Sequence, residues 1–276
     1  MHRIAVLASV DVVAAVTVDD LPKLTPCDGW NLADLLTHMT VQHHGFAAAA
    51  RGQGADLAIW EPATVAGAVA SDPAVTYSAA AADVIDAFAA ADVPDAMFAL
   101  PEFGPGVTVP GSVAIGFHFV DYVVHGWDVA RTMDSPFELP ADVVAAALPV
   151  ASAVPDGEFR TAPNALFRPA IQSTDQADDL DRILAYLGRS PEWTPPPRPD
   201  GTRRVRQRLD LEIHDNNLFR RRSHHWSAAD HTRRRPLQHQ LATGPLRRDT
   251  VPACGEFHRL FIPILTRIGS RSPNWA

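Results

Sequence analysis

Asp121 and His125, four residues apart, lie in the run Phe117-His118-Phe119-Val120-Asp121-Tyr122-Val123-Val124-His125-Gly126-Trp127-Asp128, whose remaining side chains are almost all apolar. At about 100° per residue on a helix, His118, Asp121, His125 and Asp128 fall within a sector of roughly 80°. A carboxylate and an imidazole one turn apart on a core-facing helix need partners, and a shared divalent cation satisfies both. His38, within Leu35-Leu36-Thr37-His38-Met39, offers a second imidazole from among core-facing residues of another helix. Bundle metal sites are built from inward side chains on facing helices. His38, Asp121 and His125 therefore make a two-histidine, one-carboxylate set with a position open for water or substrate, which suits a catalytic zinc or similar divalent ion. Spacing alone is met equally well by a hydrated polar groove that holds no ion.

The neighbouring polar residues can be ranked. His118, two turns before His125, is a fourth ligand or a partner that supports one. Asp128, at the edge of the stripe, is a buried acceptor or orients a ligand imidazole. His43 and His44 are roughly 140° and 240° around from His38 and are expected to face solvent. Cys27 sits in a Pro-Cys-x-Gly turn ahead of a helix, where the helix N-terminus lowers a thiol pKa. Its favoured reading is a small buried residue packed under Trp30, with Trp30 and Trp127 as packing residues. No nucleophile motif, Gly-rich phosphate loop or clear general base accompanies them.

These residues must be carried by helices. The pattern predicts a first helix over residues 3–16 and a second over 32–50, with Asn31 as N-cap and Asp34 in its first turn. A third is expected over 77–91, a long Pro- and Gly-rich loop over 94–110, and the stripe-bearing fourth helix over 111–133. Further helices are predicted at 141–154 and 178–187, the latter closed by Gly188, and a short strand or extended edge at 166–170. The prolines from Pro191 to Pro199 mark a boundary, giving a helical domain over 1–195 and a Pro- and Arg-rich tail over 196–276 that is expected to be disordered.

The chain has 276 residues, 46% of them hydrophobic, and a net charge of −8. Residues 201–276 alone hold 15 arginines against 6 acidic residues. That tail lacks a nucleic-acid motif or aromatic interleaving. So abrupt a change of composition also fits a shifted reading frame. Two distant cysteines, Cys27 and Cys254, suggest no disulfide framework and fit a reducing cytoplasm. No apolar run reaches membrane-spanning length, and Asp11 interrupts the stretch that would mimic a signal sequence.

Thr25-Pro26-Cys27-Asp28-Gly29-Trp30, Asp34-Leu35-Leu36-Thr37-His38 and Asp121-Tyr122-Val123-Val124-His125-Gly126-Trp127-Asp128-Val129-Ala130 together resemble the mycothiol-dependent maleylpyruvate isomerase N-terminal type. They are closest to its actinobacterial branch of metal-binding proteins, whose usual ending resembles residues 180–191. The resemblance spans about residues 1–195. It implies an all-α, DinB-like up-down four-helix bundle holding a divalent metal, usually zinc, through His38, Asp121 and His125. The isomerases carry glutamate at the position of Asp121. The resemblance further implies mycothiol as cofactor, a small electrophilic substrate, and S-transferase or isomerase chemistry. The alternative is a non-catalytic metal-binding bundle. A homodimer is compatible with either.

Overall fold

Apolar and alanine-rich segments form seven α-helices among the residues that the computed structural model describes, 1–161, 167–174 and 176–195. Four of them make a closed ring. α1 (His2–Val13) and α2 (Leu32–Ala50) are both flanked by α4 (Pro73–Phe88) and α5 (Gly111–Thr132), while α3 (Ala66–Ser71) bridges α2 and α4. α6 (Ala141–Ala151) packs on α5 and on α7 (Asp179–Tyr186). Two buried clusters form the core, one including Leu35, Leu36 and Met39 from α2 with Val129 from α5, the other Val84 from α4 with Phe119 and Val123 from α5. The all-α class expected from the sequence is the fold observed among the described residues.

Local chemistry sets the helix ends. Asn31 and Asp34 form a reciprocal capping box, Asn31 Oδ1 accepting from the Asp34 N–H and Asp34 Oδ2 from the Asn31 N–H. α1 stops at Val13 rather than residue 16, and Thr17, donating to the Asp20 carboxylate from its N–H and hydroxyl, opens a 3₁₀ turn (Val18–Asp20). α4 begins four residues before the predicted start, because Asp72 caps the Val75 N–H and Pro73 takes the first helical position. It also ends earlier, at Phe88. α6 is shorter than predicted, ending at Ala151 after Pro149. Within the expected loop, β1 (Met97–Ala99) pairs antiparallel with β2 (Thr108–Pro110) and buries Phe98 and Val109. Over 167–170 no strand forms, and the Arg168 carbonyl accepts from the Arg160 side chain instead. The residue 195 boundary coincides with the end of the described residues, and the tail lies outside them.

A file of buried imidazoles crosses the ring. His2 Nε2 and His118 Nδ1 are 2.8 Å apart, and His118 Nε2 and His43 Nδ1 are 3.3 Å apart. His43 stacks on Tyr122 at 4.1 Å between ring centroids. The expectation that His43 faces solvent is thus wrong: α2 lies between α4 and α5, and His43 packs between Tyr77 and Tyr122 of those two helices. His44 is half-buried. Burial holds all three imidazoles neutral, lowering His2 to about 3 and His43 and His118 well below their usual value.

The unfolded chain protonates these groups near 6.5, whereas the folded chain resists. Their contribution is complete above about pH 6.5 and is lost as pH falls toward the folded values, by at most about 1.4 kcal/mol per pH unit for each histidine. His125, held protonated, and Glu102, whose ionisation is raised, both described below, oppose this as two groups against three. Urea melts should give a lower midpoint at about pH 5 than at about pH 7.5, and His2→Gln should flatten the difference. Equal midpoints in wild-type protein would show that the imidazoles are not excluded from protonation.

Candidate metal centre

α2 and α5 pack together, which brings His38 from the second turn of α2 against Asp121 and His125 from the middle of α5. Asp121 Oδ1 lies 3.3 Å from His125 Nε2, and Asp121 Oδ2 lies 3.8 Å from His38 Nε2. The ligand atoms of the three residues are all within 4.8 Å of one another. His38 and Asp121 keep 29% and 31% of their side chains exposed, against 8% for His125. The open side of the trio is a cavity of about 500 Å³, lined also by Gln42, Phe46, Glu102, Phe103 and Phe117.

Burial opposes charge on both members of the α5 pair, but their mutual attraction and hydrogen bonding outweigh it. The Asp121 carboxyl is held well below its usual range, and the His125 imidazole well above. His125 Nδ1 is 2.9 Å from Asp128 Oδ2. With Asp128 accepting the Nδ1 proton, Nε2 is presented to the trio, the usual arrangement of a metal-ligating histidine and its carboxylate. The donor set, its spacing and this orientation fit a divalent cation.

A second group, Cys27, His125 and Asp128, has comparable spacing. Cys27 Sγ donates to Asp128 Oδ2 at 3.1 Å and lies 3.8 Å from His125 Nδ1. Arg189 decides between the two groups. Its guanidinium lies 3.3 Å from Asp128 Oδ2 and 3.4 Å from Cys27 Sγ, so a positive charge already sits there. A further cation would be repelled there, which leaves the trio as the candidate cation site. Burial disfavours the Arg189 charge, but Asp128 more than compensates and its pKa is raised; Arg189 in turn holds the buried Asp128 carboxyl low.

The end of α7 delivers Arg189. Gly188 at φ +81° takes the left-handed position, the Arg189 N–H bonds the Leu184 carbonyl at 2.8 Å, and the Gly188 N–H bonds that of Ala185 at 3.1 Å. A Cβ at Gly188 would also meet the Arg168 carbonyl oxygen at 2.8 Å. Arg160, fully buried, ties this wall together by donating to the carbonyls of Val154, Pro155, Arg168 and Tyr186.

His38, Asp121 and His125 are brought together, and Asp128 orients an imidazole. His118 lines the cavity but is engaged by His2 and His43, outside the donor group. Cys27 is buried as expected, yet its neighbours include charged groups. Trp30 is not a core residue: it is 36% exposed, with its ring 5.1 Å from that of His38, whereas Trp127 is core. Sequence reasoning missed Arg189, Gln42 and Glu102. Gln42 Nε2 donates to Glu102 Oε1 at 2.7 Å. Glu102 is an exposed residue, but partial burial of its carboxyl, with the Asp121 charge adding, raises its ionisation against the opposing Gln42 hydrogen bond. Nothing in the Pro- and Gly-rich stretch around Glu102 signals this. Gly188 was legible as a helix end, but the direction it gives Arg189 was not.

Asp128→Asn would strand the Arg189 guanidinium and should cost about 3–5 kcal/mol in chemical denaturation, whereas Asp128→Asn combined with Arg189→Met should recover most of the loss. Additive losses would show that the two charges are uncoupled.

Residues 3–130 match the family model of the mycothiol maleylpyruvate isomerase N-terminal domain. Two proteins of Mycobacterium tuberculosis, both named only as uncharacterized and coming from two strains, are 31% identical over 189 residues, covering 68% of this chain and 96% of each relative. The crystal structure of the mycothiol-dependent maleylpyruvate isomerase aligns with a TM-score of 0.48 at 14% identity, covering 71% of this chain and 93% of that one.

Proposed function

The chain belongs to the mycothiol maleylpyruvate isomerase N-terminal domain family, and we propose that it binds a divalent metal and uses a low-molecular-weight thiol to act on a small electrophile, as an S-transferase or isomerase. His38, Asp121 and His125 would hold the ion, with zinc the expected metal and mycothiol the expected thiol. One observation carries this reading: a three-donor set that opens on a cavity. Structural zinc sites are closed by four protein ligands, whereas catalytic ones keep a position for water or substrate. His118, the residue that could close the set, is engaged by His2 and His43. That favours the catalytic reading over an ion bound for stability.

A bound cation supplies the charge that keeps a thiol sulfur deprotonated at neutral pH. The chain's own residues supply the rest. Asp128 fixes the His125 ring, and Trp30 lies against that of His38. Phe46, Phe103 and Phe117 give the cavity an apolar wall for the carbon skeleton of a substrate. Arg168 and Arg189 line the same cavity with positive charge that suits acidic groups on thiol or substrate. No helix among the described residues is long and apolar enough to cross a membrane. We place the protein in the cytoplasm, where thiols are kept reduced.

Purified protein should carry about one zinc per chain, and His125→Ala should lose it. Cobalt-substituted protein should change its visible absorption when mycothiol is added. Wild-type protein that takes up no zinc would overturn the metal site, and a cobalt spectrum insensitive to mycothiol would overturn the thiol chemistry.

A further inference from the structure

α1 presents an outward stripe that nothing among the described residues covers. Arg3, Ile4, Leu7 and Asp11 are exposed and Val10 is half-buried, while His2, Ala5, Val6 and Ser9 face the ring. Ile4 and Leu7 each keep 42% of their surface open, so two large aliphatic side chains one turn apart stand in water. Beside them α1 and α4 enclose a groove of about 220 Å³, whose α4 wall includes the small side chains Ser78, Ala81 and Ala82. Scattered exposed aliphatics need no explanation, but a pair joined to a groove with room for a side chain marks a contact surface.

The two charges on this stripe stand against their own helix. Arg3 is in the first turn of α1, at the positive end of the helix dipole, and Asp11 is in the last turn, at the negative end. Neither side chain makes a hydrogen bond or ion pair among the described residues, and Asp86, which lines the groove with Arg3, does not pair with it. Interactions within the chain therefore give no reason for the pattern, whereas an external complement does. Arg3, Leu7 and Asp11 are spaced four residues apart, with the apolar residue at the centre. Arg3, Leu7 and Val10, or Ile4, Leu7 and Asp11, follow the alternating three- and four-residue spacing of a two-helix seam. When two copies of α1 cross antiparallel at Leu7, each Arg3 meets Asp11 of the other copy, near the negative end of its helix, and each Ile4 meets Val10. Leu7 packs on Leu7 at the two-fold axis.

We propose that the outer face of α1, with the groove between α1 and α4 beside it, is the contact surface of a two-fold homodimer. The occupant is a second copy of this chain because the stripe is complementary to itself: reversing its direction exchanges cation for anion and leaves the apolar centre in place. An isologous contact has that property, residue i meeting j and j meeting i. The face is small and its ion pairs are exposed, so association is weak and sensitive to salt. On the opposite face of α1, His2 Nε2 lies 2.8 Å from His118 Nδ1, so the second copy braces the helix that holds His118. No residue of α1 lines the cavity of the metal centre, so dimer formation and metal binding can be read separately.

Sedimentation velocity of the full-length protein, from micromolar to submillimolar concentration, tests this, with circular dichroism checking the helical content of each variant. Wild-type protein should show a reversible monomer–dimer equilibrium that weakens as salt is raised. Leu7→Glu, which sets two carboxylates on the two-fold axis, should raise the dimer dissociation constant at least about a hundredfold. Arg3→Glu and Asp11→Arg should each raise it about tenfold, because each creates two like-charge contacts, and the two combined should return it to within about threefold of wild type. A general effect of net charge would instead move the two single reversals in opposite directions. Each reversal suits the end of the helix it occupies, so neither should lower the melting temperature of the monomer, which separates weakened association from lost folding. Protein that stays monomeric throughout, its outer α1 face then belonging to residues 196–276 or to a different partner, would overturn the proposal. So would a dimer indifferent to Leu7→Glu, or single reversals that the combination does not correct.

Discussion

One carboxylate oxygen holds the centre together. Asp128 Oδ2 receives the Cys27 thiol at 3.1 Å, faces His125 Nδ1 at 2.9 Å and pairs with Arg189 at 3.3 Å. These partners come from the loop before α2, from α5 itself and from the turn after α7. A buried carboxylate is tolerated only where charge and hydrogen bonds compensate it. Asp128 therefore fixes three remote segments relative to one another. The ring setting of His125, the closure of the cavity by the C-terminal wall and the burial of Cys27 are consequences of compensating this single anion.

The same helix carries two polar systems that do opposite things. His118, one turn before Asp121, is surrounded by His2, His43 and aromatic rings, so burial dominates and the imidazoles stay neutral. His125, one turn after Asp121, is equally enclosed but faces two carboxylates, so attraction dominates and its proton is retained. The difference is where the acids lie along α5. A stripe that looks uniform on a helical wheel divides into a neutral half that packs the ring and a charged half that suits an ion.

What the sequence made legible follows from this. Helical periodicity and capping residues placed α2 and α5 closely, since Asn31 with Asp34 and the unbroken apolar run around Asp121 are local signals. The three donors were readable because two share a helix face and the third is a polar residue stranded among core positions. The hairpin of β1 and β2 was not readable, because three residues per strand carry too little alternation against a background of Pro and Gly. His43 was misplaced because a helical wheel shows angle and not neighbours: α2 is enclosed by α4 and α5, and the face opposite His38 meets protein instead of water. Glu102 and Arg189 were invisible for a different reason. Each is ordinary in sequence and acquires its character only from tertiary partners, Gln42 in one case and Asp128 in the other.

The acid of the trio is an aspartate, and its shorter reach decides which donor must adapt. Tetrahedral zinc with bonds of about 2.0–2.1 Å separates its donors by roughly 3.4 Å. Asp121 Oδ1 and His125 Nε2, 3.3 Å apart, are close to that spacing, whereas His38 Nε2 lies 3.8 Å from the other carboxylate oxygen, Oδ2. His125 cannot move, since Asp128 holds its far nitrogen. Asp121 faces both imidazoles from a short side chain that is 31% exposed. His38 is 29% exposed, and its ring lies against the half-open Trp30. Closing a few tenths of an ångström by rotating one partly exposed imidazole is a small adjustment compared with shifting a packed helix. His125 is thus the fixed member of the trio, and the partly exposed His38 and Asp121 would be the ones to adjust to an ion.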